Sequence, residues 1–171
     1  YIHMNVYASI RYGLITVVLI VLQTTFIRFI SIESITPDIL VVWIVYLALR
    51  YGQIHATVAG FILGFIVDII SGDFLGLYAL SKTVCGFVAG YSYDENRTTQ
   101  TLATYRFALI VLLASIVHNV IYFTIFVQGS ELPFWRTLGL FGVTTSLYTS
   151  ALSLLPIFGY SRAKGDRVLP R

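Results

Sequence analysis

The sequence predicts an all-α membrane protein, a polytopic bundle of six transmembrane helices over residues 4–161. Three observations predict it. The chain is 57% hydrophobic and only 11% charged, with a mean hydropathy of +0.84, whereas a soluble domain carries about 25% charged residues. Its apolar runs recur with lengths near the roughly 17–20 residues a helix needs to cross the hydrocarbon. Runs such as Leu14 to Leu22 and Ile110 to Ser115 lack the strict polar–apolar alternation of a membrane barrel. The length suits one compact bundle and leaves no room for a second, soluble domain. Cys85 is the single cysteine, so no intrachain disulfide forms and redox compartment is not readable.

Each element follows from its local sequence. Tyr1, Ile2 and His3 precede Met4 and read as a cloning remnant. The first span runs from Tyr12 to Phe29; no small-residue cleavage site follows it, so it reads as a retained helix rather than a signal peptide. The second runs from Pro37 to Tyr51. Pro37 suits a first helical turn, where its missing N–H costs nothing, and Asp38 suits the positive end of the helix. The third, Ala56 to Ile70, is separated from it by only Gly52 to His55. The fourth runs from Leu75 to Tyr91, the fifth from Tyr105 to Phe126 and the sixth from Leu138 to Phe158, with Pro156 kinking or ending it. Stop signals lie between the spans at Ser31 to Pro37, Ser71 to Asp73, Asp94 to Gln100 and Gln128 to Pro133.

Basic residues orient the bundle. With a cytoplasmic N-terminus, Arg11, Arg50, Arg97, Arg106 and the basic tail at 162–171 all fall inside, and only Arg28 and Arg136 lie near the outer face. Both termini are therefore expected in the cytoplasm; the basic tail reads as a topology determinant and nothing more, in preference to a contact with anionic headgroups. Tyr91, Tyr93, Tyr105, Phe107, Phe134 and Trp135 form interfacial belts rather than a base-stacking platform, and nothing points to nucleic acid.

The unusual residues concentrate between Pro37 and Gly90. Gly60 and Gly64, and again Gly86 and Gly90, make GxxxG pairs that let another backbone approach closely. They pack the third span on the fourth, or one pair faces a partner's helix, a second copy included. Gly72 and Gly76 flank Asp73-Phe74-Leu75 and supply unusual backbone angles in a tight outer turn. Asp68 and Lys82 lie towards the outer ends of their spans. Either they face the interior and interact, or each is a separate interfacial charge. Ser115 and His118 share one face of the fifth span, but no carboxylate in the fifth or sixth span orients the histidine, so interhelical hydrogen bonding outweighs a nucleophile–base role. Gln23, Thr24 and Thr25 are further helix-bonding candidates. No metal-ligand spacing and no phosphate-cradling loop occur, and no cofactor is expected.

Four motifs in order carry a family resemblance: Pro37-Asp38-Ile39-Leu40; Ala48-Leu49-Arg50-Tyr51-Gly52; Gly60 to Asp68 (GFILGFIVD); and Gly72 to Leu80 (GDFLGLYAL). Together they resemble the bacterial rod shape-determining MreD family, and the resemblance covers Pro37 to Gly90. It implies a non-catalytic scaffold of the elongasome in the inner membrane, which binds MreC and through it connects MreB filaments with RodA and its class B penicillin-binding transpeptidase. It implies a fold similar to the S-components of energy-coupling-factor vitamin transporters. It also implies a partner-binding framework of Pro37, Asp38, Gly60, Gly64, Asp68, Gly72, Asp73, Gly76 and Lys82. The alternative is a vitamin-binding S-component itself. Against it, the first span lacks the AxxxA docking spacing and Ile30 to Thr36 is too short for a lid over a vitamin.

Overall fold

The computed structural model describes residues 6–26, 36–72, 74–128 and 134–155, and over these the chain is all-α. Each of the six expected apolar segments contains a helix among its described residues. The first begins earlier than expected, as α1 (Val6–Val21), and continues into a π-helical turn at Leu22–Phe26. Next come α2 (Ile39–Tyr51), α3 (Gln53–Ser71) and α4 (Leu77–Gly90). A short α5 (Thr98–Leu102), not foreseen from the sequence, precedes α6 (Tyr105–Gln128). The last segment is α7 (Phe134–Thr137), a π-helical turn at Leu138–Val143, and α8 (Thr144–Leu152). Residues 1–3, Arg28, Asp73, Pro156 and the tail at 162–171 lie outside the described residues.

Two helices, Gln53–Ser71 and Tyr105–Gln128, are long and apolar enough to cross a membrane, and shorter apolar helices cover Ile10–Thr25, Ile39–Tyr51 and Leu77–Gly90. At 1.5 Å per residue α6 is about 36 Å long and α2 only about 20 Å, against a hydrocarbon layer of about 30 Å.

The short α2 is the centre of the bundle. Leu40, Val41, Ile44, Val45, Ala48 and Leu49 are buried, which gives it two adjoining apolar stripes. One stripe packs with Ala56, Cys85, Ala89, Phe107, Val111 and Ala114 from α3, α4 and α6. The other meets Ile20, Leu63 and Val67 from α1 and α3. Trp43 Nε1 donates to Thr16 Oγ1 at 3.0 Å and ties α1 to α2.

The tightest packing joins α3 to α4. A Cβ at Gly60 would come under 3.0 Å from the Lys82 carbonyl group, and one at Gly64 would meet the backbone of Tyr78 and Ala79 as closely. Gly86 faces the Ala56 carbonyl and Gly90 faces Gln53 in the same way. Both GxxxG pairs are thus spent inside the chain, and neither is left for a partner's helix. A single residue, Gly52, separates α2 from α3, rather than the four expected. At the opposite end Gly72 and Gly76 take left-handed angles, with φ of 69° and 97°, which a side chain resists. These two glycines match the expected tight turn.

Candidate functional site

The helices α2, α3 and α4 bring their unusual residues to one end of the bundle. Asp38 caps the N-terminus of α2: its Oδ1 accepts from the Val41 N–H at 3.2 Å, satisfying one of the helix's orphan donors. Pro37 sits just before this cap and is fully buried, rather than inside the first turn. The backbone N–H of Asp38 donates to Thr149 Oγ1 at 3.0 Å, which links the cap to α8.

Lys82 is 1% exposed and forms a buried ion pair with Asp38 Oδ2. Its Nζ also lies 5.7 Å from the centre of the Tyr78 ring, within range of a cation–π attraction. His118 of α6 completes the cluster, with Nε2 3.6 Å from the same Asp38 oxygen. A buried charge is tolerated only when it is paired and hydrogen-bonded, and Asp38 gives Lys82 that partner.

Asp68 has a different task from the one considered above. It does not pair with Lys82. Its two oxygens accept backbone N–H groups from Gly76 at 3.0 Å, Tyr78 at 2.9 Å and Ala79 at 3.0 Å. Asp68 therefore caps α4 from the far end of α3 and clamps the turn through Gly72 and Gly76. The physical reason is reach: the exposed first N–H groups of α4 lie within hydrogen-bond distance of Asp68, while Lys82 one turn further on turns towards α2.

Polar side chains extend this centre. Gln23, in the first π-helical turn, donates to the Pro37 carbonyl at 3.2 Å and accepts from the Ile39 N–H at 2.9 Å. It is an interhelical bond of the kind expected, whereas Thr24 bonds back to the Ile20 carbonyl of its own helix at 2.9 Å. Asn119 donates to the Gly142 carbonyl at 3.1 Å and to Ser146 Oγ at 2.8 Å, fastening α6 to the second π-helical turn. Ser115 Oγ and His118 Nδ1 are buried and hydrogen-bond to nothing among the described residues. The two therefore form no nucleophile–base pair. The carboxylate near His118 comes from α2, a placement that spacing within the fifth and sixth spans does not reveal.

A cavity of about 320 Å³ opens beside this cluster, with Asp38, Tyr78, His118, Asn119, Tyr122 and Phe141 in its wall. A smaller one of about 140 Å³ shares Asp38 and Tyr78 and reaches Ser71 and Lys82. Both π-helical turns contribute to the larger wall, through Gln23 and Phe141. Such turns recur where a helix is reshaped around a site. Among the described residues no group of three His, Cys, Asp or Glu side chains is placed to hold a metal ion.

Of the sequence-derived framework, Pro37, Asp38, Asp68, Gly76 and Lys82 gather around this end. Gly60 and Gly64 lie on the helix interface beneath it, and Gly72 closes the turn. The family model described as rod shape-determining protein MreD matches residues 6–154. No solved structure matches the chain.

Proposed function

The chain belongs to the MreD family, a non-catalytic family, and from that premise we propose that it is a membrane scaffold of the elongasome. In this reading it crosses the bacterial inner membrane six times, with both termini in the cytoplasm. It binds MreC and helps position RodA and its class B penicillin-binding transpeptidase, with MreB reached indirectly. The likeness to energy-coupling-factor S-components belongs to this proposal too.

The observation that carries the reading is the family match over nearly the whole bundle. The geometry adds a division of labour. Gly60, Gly64, Asp68 and Lys82 are engaged inside the chain, so they serve as a frame. The frame fixes Phe74 and Leu75, which are 67% and 71% exposed in the turn it clamps. The proposed partner contact is this apolar tip together with the mouth of the cavity beside Asp38, on the periplasmic side. In membranes such contacts gain from close packing and hydrogen bonds rather than from hydrophobic expulsion.

A second reading, a vitamin-binding S-component, is favoured by one observation, the cavity of about 320 Å³ with polar and aromatic walls. One purification separates the two. The chain is isolated in detergent from its host membrane and its companions are identified. Recovery of MreC supports the scaffold; recovery of an energy-coupling ATPase module, or of a retained vitamin, overturns it. Depletion of the scaffold makes rod cells round, so unchanged shape counts against the assignment.

A further inference from the structure

At the opposite end of the bundle a third cavity, of about 350 Å³, is lined by Arg97, Gln100, Thr101, Thr104, Tyr105 and Arg106. We infer that this basic cleft binds the phosphate of an anionic phospholipid in the leaflet it faces.

Three features carry the inference. The first is charge. Arg97 and Arg106 come from different elements, the turn before α5 and the first turn of α6, and they line one cleft. Arg106 has no ion-pair partner among the described residues. Arg97 is engaged only by Asp94, at 3.6 Å, with both side chains more than half water-exposed or nearly so, a pairing of little strength. A guanidinium carries five N–H donors in a fork that matches phosphate, so Arg97 has donors to spare. Neither Asp94 nor Glu95 lines the cleft.

The second is depth. The depth of the cleft rests on the proposed membrane topology: α6, about 36 Å long, outreaches a hydrocarbon layer of about 30 Å, and with Arg97 and Arg106 on the cytoplasmic side its first turn is placed at the headgroup layer. Tyr105 beside Arg106 is 70% exposed, as fits a ring in the interfacial belt. A phosphate at this level belongs to a lipid.

The third is support. Thr98 Oγ1 donates to the Leu49 carbonyl at 3.0 Å, anchoring α5 to the end of α2. Thr104 Oγ1 donates to the Gln100 carbonyl at 2.6 Å and fixes the corner between α5 and α6. The cleft is therefore held by hydrogen bonds to its own backbone and to α2 before any lipid arrives.

The test uses the purified full chain in detergent, titrated with phosphatidylglycerol or phosphatidylcholine, with bound lipid counted by native mass spectrometry. The expected result is preferential retention of phosphatidylglycerol. Arg106→Gln alone lowers that preference about fivefold, and Arg97→Gln with Arg106→Gln lowers it by about a further fivefold. Arg11→Gln, at a basic residue outside the cleft, leaves it unchanged. Each variant is checked for unchanged thermal unfolding; exposed arginines tolerate glutamine, and the paired Arg→Lys variants, which keep the charge but lose the fork, retain only part of the preference. Equal retention of the two lipids overturns the proposal, as does full preference in the double variant. Displacement of the lipid by millimolar inorganic phosphate also overturns it, because the cleft is then a site for a soluble anion.

Discussion

Lys82 shows how one buried charge organises its surroundings. Its partner Asp38 lies 44 residues away, and the same carboxylate also caps a helix and approaches His118. Removing one member of a buried pair leaves the other uncompensated, at about 3–5 kcal/mol. Lys82→Met is therefore expected to lower the unfolding free energy by that amount, and adding Asp38→Asn to recover part of it. Thermal unfolding of the detergent-solubilised variants measures both; strictly additive losses would show that the two residues do not act together. Asp68 makes a second, independent prediction. Asparagine keeps one acceptor oxygen and turns an NH₂ group towards backbone N–H groups. Asp68→Asn is expected to cost about 1–3 kcal/mol, with amide exchange rising first at Gly76 to Ala79. The sequence showed that Asp38, Asp68 and Lys82 are unusual, but not which carboxylate takes the lysine. That choice is made by the fold, which presents the start of α4 to Asp68 and the flank of α4 to α2.

At the scale of the element, α3 and α4 were the most legible part of the chain. The spacing Gly60-Gly64 and Gly86-Gly90 announces two smooth faces, and the structure presses them against each other. Gly64→Ala and Gly86→Ala each place a methyl group against facing backbone, so each is expected to cost about 1–3 kcal/mol. Gly13→Ala in α1, where nothing lies within 4 Å, should instead be neutral or stabilising by up to about 1 kcal/mol. Equal effects at Gly13 and Gly64 in a melting experiment would remove the packing argument. Less legible were the π-helical turns at Leu22–Phe26 and Leu138–Val143. An apolar run of constant hydropathy gives no local sign of the extra residue in such a turn. What reveals it is the set of long-range bonds from Gln23 to the start of α2 and from Asn119 to Gly142. The short α5 was hidden for a similar reason, since Thr98-Thr99-Gln100-Thr101 carries loop composition and its helix is anchored by Thr98 to α2.

For the whole molecule, composition and the lack of polar–apolar alternation pointed to an all-α chain with apolar helices, which the structure shows, and the motif combination between Pro37 and Gly90 pointed to its family. The proposed topology has a direct measurement. Reporter fusions after Gln128 should score as periplasmic, and fusions after Asn96 as cytoplasmic; identical scores remove the six-span reading, and the reverse assignment removes the cytoplasmic termini. The proposed contact surface has another. Phe74→Ser with Leu75→Ser alters exposed residues, so melting should be nearly unchanged, while the chain should no longer restore rod shape to depleted cells. Full rescue by that variant would move the partner contact elsewhere on the bundle.

The separation between Asp38 and Lys82 also bears on how the protein is made. Asp38 leaves the ribosome before Lys82, so in the proposed six-span topology the lysine would enter the bilayer with its counter-ion already made at the start of α2. Asp68 likewise precedes the α4 backbone groups that it caps. The contact from Asp38 to Thr149, 111 residues apart, closes only after α8 is synthesised. In the proposed topology the lysine can thus be paired and the turn into α4 capped before the later helices are made, and those helices lock an arrangement already in place.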